Sequence, residues 1–372
     1  MNEVWSNLFE QVKVKEILTR IYRSRRVPHA FLFYGQEGVG KFFTAIQFAK
    51  LMNTPPDSPI DKNLEKRMSS LQEPYIKLIL PLPRGKGETG EDSSTEKLSK
   101  DIIESILAEI QKKRLNPYYK INIENANTIK ISSIRDIRKF VNINIDEMEY
   151  RFIIISDAHL MNEQAQNALL KNLEEPPEGI IFILISTDKN KLLPTIQSRC
   201  WQIHFEPLSE EAVKEILVSH FLIAKEIVEK VIHFVEGSPL NAIDLIQNDF
   251  ENGLERTVSF LRYSLARRYS SAYRELAAFT ENDVNNSLKI LIILIKTWLN
   301  DIVKNKYSVN DEYYFNDYKE TLVKFNSKFQ TVSISKIFQI LESLENYMDR
   351  NLNLNVLYLN LIFEIASLSI RI

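Results

Sequence analysis

Apolar residues fall in two rhythms along this chain, and the change between them divides it. Up to about residue 206, short continuous apolar runs alternate with stretches of helical period. Phe31-Leu32-Phe33-Tyr34, Tyr75-Ile76-Lys77-Leu78-Ile79-Leu80-Pro81, Arg151-Phe152-Ile153-Ile154-Ile155 and Ile180-Ile181-Phe182-Ile183-Leu184-Ile185 read as strands, the last two covered on both faces. Between them, helical spacing appears at Val14, Ile17, Leu18 and Ile21, at Ala45, Ile46, Phe48 and Ala49, at Ile102, Ile103, Ile106, Leu107 and Ile110, and at Ala165, Ala168, Leu169 and Leu173. Ile129-Lys130-Ile131 alternates like a short strand, with Ser132-Ser133 able to cap a helix through Ile134, Ile137 and Val141. Strand–helix alternation predicts an α/β domain with a mostly parallel sheet between helices.

From Pro207 onward strands disappear. Three short helical patterns fill 208–247, and beyond 250 the pattern is helical throughout, most strongly at Leu288, Leu291, Ile292 and Ile295 and at Ile337, Ile340, Leu341 and Leu344. Three domains are expected: 1–206 (α/β), 207–249 (a small helical lid) and 250–372 (an all-helical domain). Residues 54–74 are polar and mixed, and 84–97 carry no apolar residue, so the latter reads as a mobile loop.

Candidate chemistry sits after the first strand. Gly35-Gln36-Glu37-Gly38-Val39-Gly40-Lys41-Phe42 fits G-x-x-x-x-G-K-[ST], the phosphate loop, at every position but the last. In such loops backbone N–H groups close on phosphate oxygens and the lysine pairs with the terminal phosphates. The final hydroxyl should hold Mg²⁺; Phe42 cannot. Ser186 and Thr187 stand at the end of another strand, where ligands of α/β sheets bind.

Charge and cysteine content narrow the rest. With 47 Lys+Arg against 49 Asp+Glu, the chain is not built on general attraction to nucleic acid. A single cysteine, Cys200, excludes an internal disulfide and a cysteine zinc cluster, and it reads as a core residue. The N-terminus lacks a signal pattern, and the apolar run 290–295 is too short to span a bilayer. A cytoplasmic protein without a membrane partner is expected.

Three blocks carry a family resemblance: His29-Ala30-Phe31-Leu32-Phe33-Tyr34-Gly35, Asn167-Ala168-Leu169-Leu170-Lys171-Asn172-Leu173-Glu174-Glu175-Pro176-Pro177, and Leu193-Pro194-Thr195-Ile196-Gln197-Ser198-Arg199-Cys200. They resemble the AAA-plus clamp-loader subunits of bacterial DNA polymerase III, the delta-prime type most. The resemblance implies an AAA-plus phosphate-loop domain, a helical lid and a C-terminal collar that oligomerises; Asn351-Leu352-Asn353-Leu354-Asn355 with Leu357, Leu359 and Leu361 resembles the last collar helix. It implies as partners the motor ATPase subunits and delta, with the sliding clamp and primer–template DNA reached through the complex.

Departures from the family pattern matter as much. Active members carry Asp-Glu at the end of the central strand. Ungapped counting, with His159 aligned to the motor histidine, puts Ser156 in the aspartate slot and Asp157 in the glutamate slot; a one-residue shift gives Asp157-Ala158 instead. Leu240 stands where active subunits place a sensing arginine, whereas Thr187 matches the first sensor. The family's zinc cysteines are missing from the insertion at 54–73. The resemblance therefore implies a cradle of Gly35, Gly38, Gly40, Lys41, Phe42, Ser156, Asp157 and Thr187 that is empty or weakly occupied by ATP, ADP or phosphate, with no metal and no zinc. Arg199 in Ser198-Arg199-Cys200 is implied as an arginine finger for a neighbour's ATP, though a surface salt bridge would look the same in sequence. The rival expectation is an active ATPase with a degenerate metal site.

Overall fold

The computed structural model describes residues 5, 8–55, 58, 60–89, 92–143, 148–280, 284–307, 313–329, 333–348 and 354–367. The chain divides into two compact units: residues 1–223 with 237–240, and residues 224–236 with 241–372.

In the first unit the elements run α1 (Val12–Ser24), β1 (Ala30–Gly35), α2 (Lys41–Met52), α3 (Lys62–Ser69), β2 (Ile76–Ile79), α4 (Lys100–Leu115), α5 (Ile131–Arg135), α6 (Ile137–Val141), β3 (Arg151–Ile155), α7 (Glu163–Glu174), β4 (Ile180–Ser186), α8 (Pro194–Gln197), β5 (Trp201–Phe205) and α9 (Glu210–His220). The strands form one parallel sheet in the order β2-β3-β4-β1-β5. Helices cover both faces, which is why the inner strands are apolar without alternation. On one face Ala30, Leu32, Ile153, Ile155, Phe182 and Leu184 pack with Ile134, Ile137, Ala165, Leu169 and Ile196. On the other, Phe31 meets Phe48 of α2 edge-on at 5.3 Å, and Phe33 meets Phe205 at the same spacing. Being enclosed, α2 is apolar nearly all round; every residue but Gln47 is buried.

Helix starts follow local chemistry. Asp61, Ser99, Asn162 and Ser209 each accept backbone N–H bonds at the head of α3, α4, α7 and α9. Gln166 of α7 is buried and fully used: its amide donates to Met161 O and Lys191 O, and its carbonyl accepts from Leu193 N at 2.7 Å.

Three sequence expectations are corrected. Ile129-Lys130-Ile131 is not a strand: Ile129 makes one isolated bridge to Met161, and Ile131 opens α5. Three alternating residues carry little strand preference, and helical geometry buries both Ile129 and Ile134. Ser132 and Ser133 lie inside α5 rather than capping it, and the expected single helix breaks at Asp136. The loop 84–97 is docked, not merely solvated. Glu88 pairs with Lys130 at 2.7 Å with both side chains almost wholly buried, and Asp136 accepts from Ser93 and Ser94. Polar composition here marks partners inside the protein instead of water. Within the insertion at 54–73, Asp61 starts α3, a helix the polar composition concealed.

The second unit is helical: α10 (Lys225–Val231), α12 (Phe250–Leu265), α13 (Tyr269–Phe279), α14 (Val284–Tyr307), α15 (Lys319–Lys328), α16 (Ile334–Met348) and α17 (Leu354–Ser367); α11 (Pro239–Gln247) belongs to it from Asn241 onward. The run at 290–295 is buried within α14, and Trp298 packs edge-on against Phe315 at 5.2 Å. Buried Asp301 accepts from Phe315 N at 2.8 Å. No helix among the described residues is long and apolar enough to cross a membrane. The collar motif at 351–353 lies outside the described residues; Leu357 and Leu361 are buried in α17.

Gly35 shows how tightly the sheet holds the loop after β1. Its φ is 143°, and a Cβ there would stand 2.3 Å from Phe205 O on the neighbouring strand. Gly35→Ala should destabilise the fold by about 3 kcal/mol through strain and overpacking. Gly87, also at positive φ but with nothing near a Cβ, should cost only about 1 kcal/mol when changed to Ala. Urea unfolding of the two variants measures the difference.

Candidate functional site

The C-terminal ends of β1, β3 and β4 open on one small cleft. Its walls include Glu37, Gly38, Gly40, Lys41 and Phe42 of the phosphate loop, Ser156 and Asp157 after β3, Ile185, Ser186 and Thr187 at the end of β4, and Leu240. The structure thus brings together all the cradle residues expected from sequence except Gly35, which sits at the base of the loop. The cleft encloses about 70 Å³.

Lys41 is turned inward. It is 6% exposed, and its ammonium donates to Gly35 O at 2.6 Å and also to Gln36 O. Burial pushes it down to about 8, with Glu37 and Asp157 opposing the shift. Phe42 is buried beside it at the head of α2. Ser238 Oγ donates to Glu37 O at 2.7 Å, and a Cβ on Gly38 would lie 3.2 Å from Leu240 Cγ. At Gly40 (φ 95°) a Cβ would stand 2.9 Å from Leu8 Cδ1. Apolar side chains therefore close on the loop from two sides.

Sequence reasoning missed the third wall, which comes from α4 and the turn after it. Lys113 places its ammonium 4.5 Å from the centre of the Phe42 ring and donates to Tyr119 O at 2.5 Å. Burial lowers it to about 7; Asp157 and Glu37 pull it up and Lys41 pushes it further down. Tyr118 is buried against the loop, and burial raises its phenol well above the usual range. In sequence Lys112-Lys113-Arg114 reads as a solvated helix end, and nothing there singles out the middle residue. Only the fold shows that one of the three cations turns inward.

The remaining polar groups are engaged locally. Ser156 Oγ donates to Asp157 Oδ2 at 3.2 Å, and Asp157 takes a left-handed backbone (φ 53°). Thr187 is exposed, its hydroxyl 3.2 Å from His159 Nε2. Of the two positions that hold Mg²⁺ in phosphate-loop proteins, Phe42 offers no oxygen and Ser156 no charge; the cleft's carboxylates are Glu37 and Asp157.

Arg199 lies elsewhere. It follows α8 and donates to Thr195 O at 2.9 Å, while its other nitrogen pairs with Glu174 Oε1 at 2.8 Å. The parallel register sets Phe31 against Trp201 and Gly35 against Phe205. Four strand residues, about 13 Å of rise, therefore separate the start of β5 from the phosphate loop. Arg199, two residues before β5, stands toward the end of the sheet away from its own cleft. Cys200 is buried in the core, where its thiol is pushed up to about 12, so it is no nucleophile.

Comparison with known proteins follows this geometry. Residues 10–209 match the family model described as "DNA polymerase III, delta subunit", and residues 255–367 match "DNA polymerase III, delta subunit, C terminal". The chain is 31% identical over 209 residues to DNA polymerase III subunit tau of Bacillus subtilis (strain 168), covering 55% of this chain and 30% of that protein. It is 24% identical over 230 residues to DNA polymerase III subunit delta' of Haemophilus influenzae, covering 62% of this chain and 68% of that one. The chain spans only part of the tau and gamma relatives it matches. A solved gamma subunit-related protein of Thermotoga maritima superposes with a TM-score of 0.42 at 16% identity, covering 95% of this chain and 99% of that one. The first match takes in more than half of the sequence and the cleft with it: this chain belongs to the DNA polymerase III delta-subunit family of clamp-loader proteins.

Proposed function

We propose that this chain is a delta-prime-like, non-catalytic subunit of the clamp loader, and that it lends Arg199 to the ATP held by a neighbouring ATPase subunit. The observation that carries the reading is the state of its own cleft. Lys41 bonds to the carbonyls of its own loop, Phe42 replaces the metal-binding hydroxyl, and about 70 Å³ remains where small-molecule sites usually offer ~300–1,000 Å³. A triphosphate would have to displace Leu240, Tyr118 and Lys113 before meeting the backbone cradle.

The position of Arg199 supports the other half. A guanidinium is always charged and forks onto phosphate oxygens, where it stabilises charge in the transition state. Its position toward the end of the sheet remote from its own loop supports service to another chain over service to its own cleft. Its pairing with Glu174 is no obstacle. Both side chains are partly solvated (35% and 49% exposed), and such pairs are worth about 0–1 kcal/mol. The partners follow from the same reading: motor ATPase subunits and delta directly, the sliding clamp and primer–template DNA through the assembly. ATP, ADP or phosphate would occupy this chain's cleft weakly, and zinc has no role.

ATP turnover is the test. The purified chain alone should hydrolyse no ATP above background. In the assembled loader, Arg199→Ala should slow the site it serves by about 10³-fold or more, while Lys41→Ala should leave turnover unchanged. Substantial turnover by the isolated chain would overturn the proposal in favour of the motor-type reading.

The closed cleft also predicts a pH response. The folded state lowers the Lys113 ammonium to about 7 from the ordinary lysine value. Between that value and about 10.4 the unfolded chain binds the extra proton, so folding stability from this group rises with pH across the window. Its cost is complete below about 7. Lys113→Met removes the group, so the variant's gain in melting temperature over wild type should be largest at pH 6–7 and shrink toward pH 10. Thermal melts at matched ionic strength test this; a pH-independent difference would show that Lys113 is charged and satisfied when folded.

A further inference from the structure

The segment that presents Arg199 carries a second feature. Trp201 opens edge strand β5 and is 52% exposed, although its partner in register, Phe31, is wholly buried. The chain's other tryptophans, Trp5 and Trp298, are 7% and 2% exposed. Gln202 and His204 on the same strand are exposed too. Lys189 lies over the Tyr34 ring at 4.4 Å and donates to Gln202 at 3.3 Å. Between Thr187 and Phe205 the sequence has three cations, Lys189, Lys191 and Arg199, and one carboxylate, Asp188, in a chain of net charge −2. Trp201 shares its side of the strand with Ile203 and Phe205, and Lys189 with Gln202 and His204 lies on the other, so the exposed tryptophan adjoins the proposed finger in the chain and not the lysine.

We infer that Trp201 is the apolar anchor of the interface through which this chain docks on the nucleotide-bearing face of a neighbouring ATPase subunit. The inference rests on the reading of Arg199 as a finger in trans. Two residues of chain span at most about 7 Å between Cα atoms. A standard interface buries about 800 Å² on each partner, a patch roughly 16 Å in radius, so an exposed residue this close to an inserted arginine falls inside it. Tryptophan and arginine dominate interface energetics, Trp by the area it desolvates and Arg by its fork of donors. The Arg199 guanidinium complements a partner surface that carries a triphosphate, which steers association and sets its orientation. Arg199 then acts on the neighbour's phosphates, and Trp201 holds the two subunits in the register that lets it reach them.

The three tryptophans make a direct test. The full chain labelled with 5-fluorotryptophan should give three ¹⁹F resonances, with Trp201 assigned by its loss in Trp201→Phe. Added to the unlabelled motor ATPase subunit of the same loader with ATP, the Trp201 signal should shift and lose its sensitivity to H₂O/D₂O exchange, while the Trp298 signal keeps its position. Trp201→Ala should raise the dissociation constant for that subunit about thirtyfold, with Trp201→Phe recovering most of the loss. A Trp201 resonance that stays put in a complex verified by size-exclusion chromatography overturns the anchor, even if Arg199→Ala abolishes turnover and so upholds the finger. A shifted resonance together with an inert Arg199→Ala variant sustains the interface and removes the finger instead.

Discussion

Two ammonium groups share one small cleft, and the arrangement of this domain's working end follows from how they are tolerated. Lys41 and Lys113 repel each other. Each finds a carbonyl acceptor, Gly35 O or Tyr119 O, and both feel the carboxylates of Glu37 and Asp157. The Phe42 ring offers Lys113 a face of negative potential. This balance engages both lysines within the cleft itself. A phosphate loop normally points donors outward at an anion; here the lysine has been drawn back into the loop that should present it.

The sheet makes that cleft and the distant arginine parts of one rigid body. β4 and β1 are central, buried on both faces and paired in unbroken parallel register. Loops at the C-terminal ends carry the closed cleft, and the segment entering β5 carries Arg199 and Trp201. Such a slab has no soft mode that would let Arg199 fold back to its own loop, since strand rise alone keeps them apart. The segment that carries Arg199 is tied to the core through Ile196 and Cys200, so its position is held at little conformational cost.

What could be read beforehand, and what could not, divides along physical lines. Strands enclosed on both faces announce themselves as apolar runs, so β1, β3 and β4 were legible from composition alone. The phosphate-loop spacing was legible for the same reason: the chemistry is local. The misreadings in the loop and at the cleft involve groups whose partners are distant in sequence. Lys130 looked like a strand residue until Glu88 came to it, and Ser93 and Ser94 looked solvated until Asp136 did. Lys113 was invisible because a lysine at a helix C-terminus is satisfied by the helix itself. β5 was weakly marked, since an edge strand with one half-covered face has neither a continuous apolar run nor a clean alternation.

Phe42 also makes the head of α2 part of the core. A working nucleotide cleft must stay open, polar and hydrated, which costs stability that function repays. Phe42 in place of a hydroxyl reverses that balance: burying a phenylalanine contributes about 1.5–3 kcal/mol, and Leu240 and Leu8 add apolar contact around Gly38 and Gly40. A serine or threonine alone at position 42 would remove buried apolar area without placing a charge at Ser156. The substitutions therefore form one packing solution, in which each makes the next less costly, and the glycine-rich turn persists because the sheet at Phe205 still requires it.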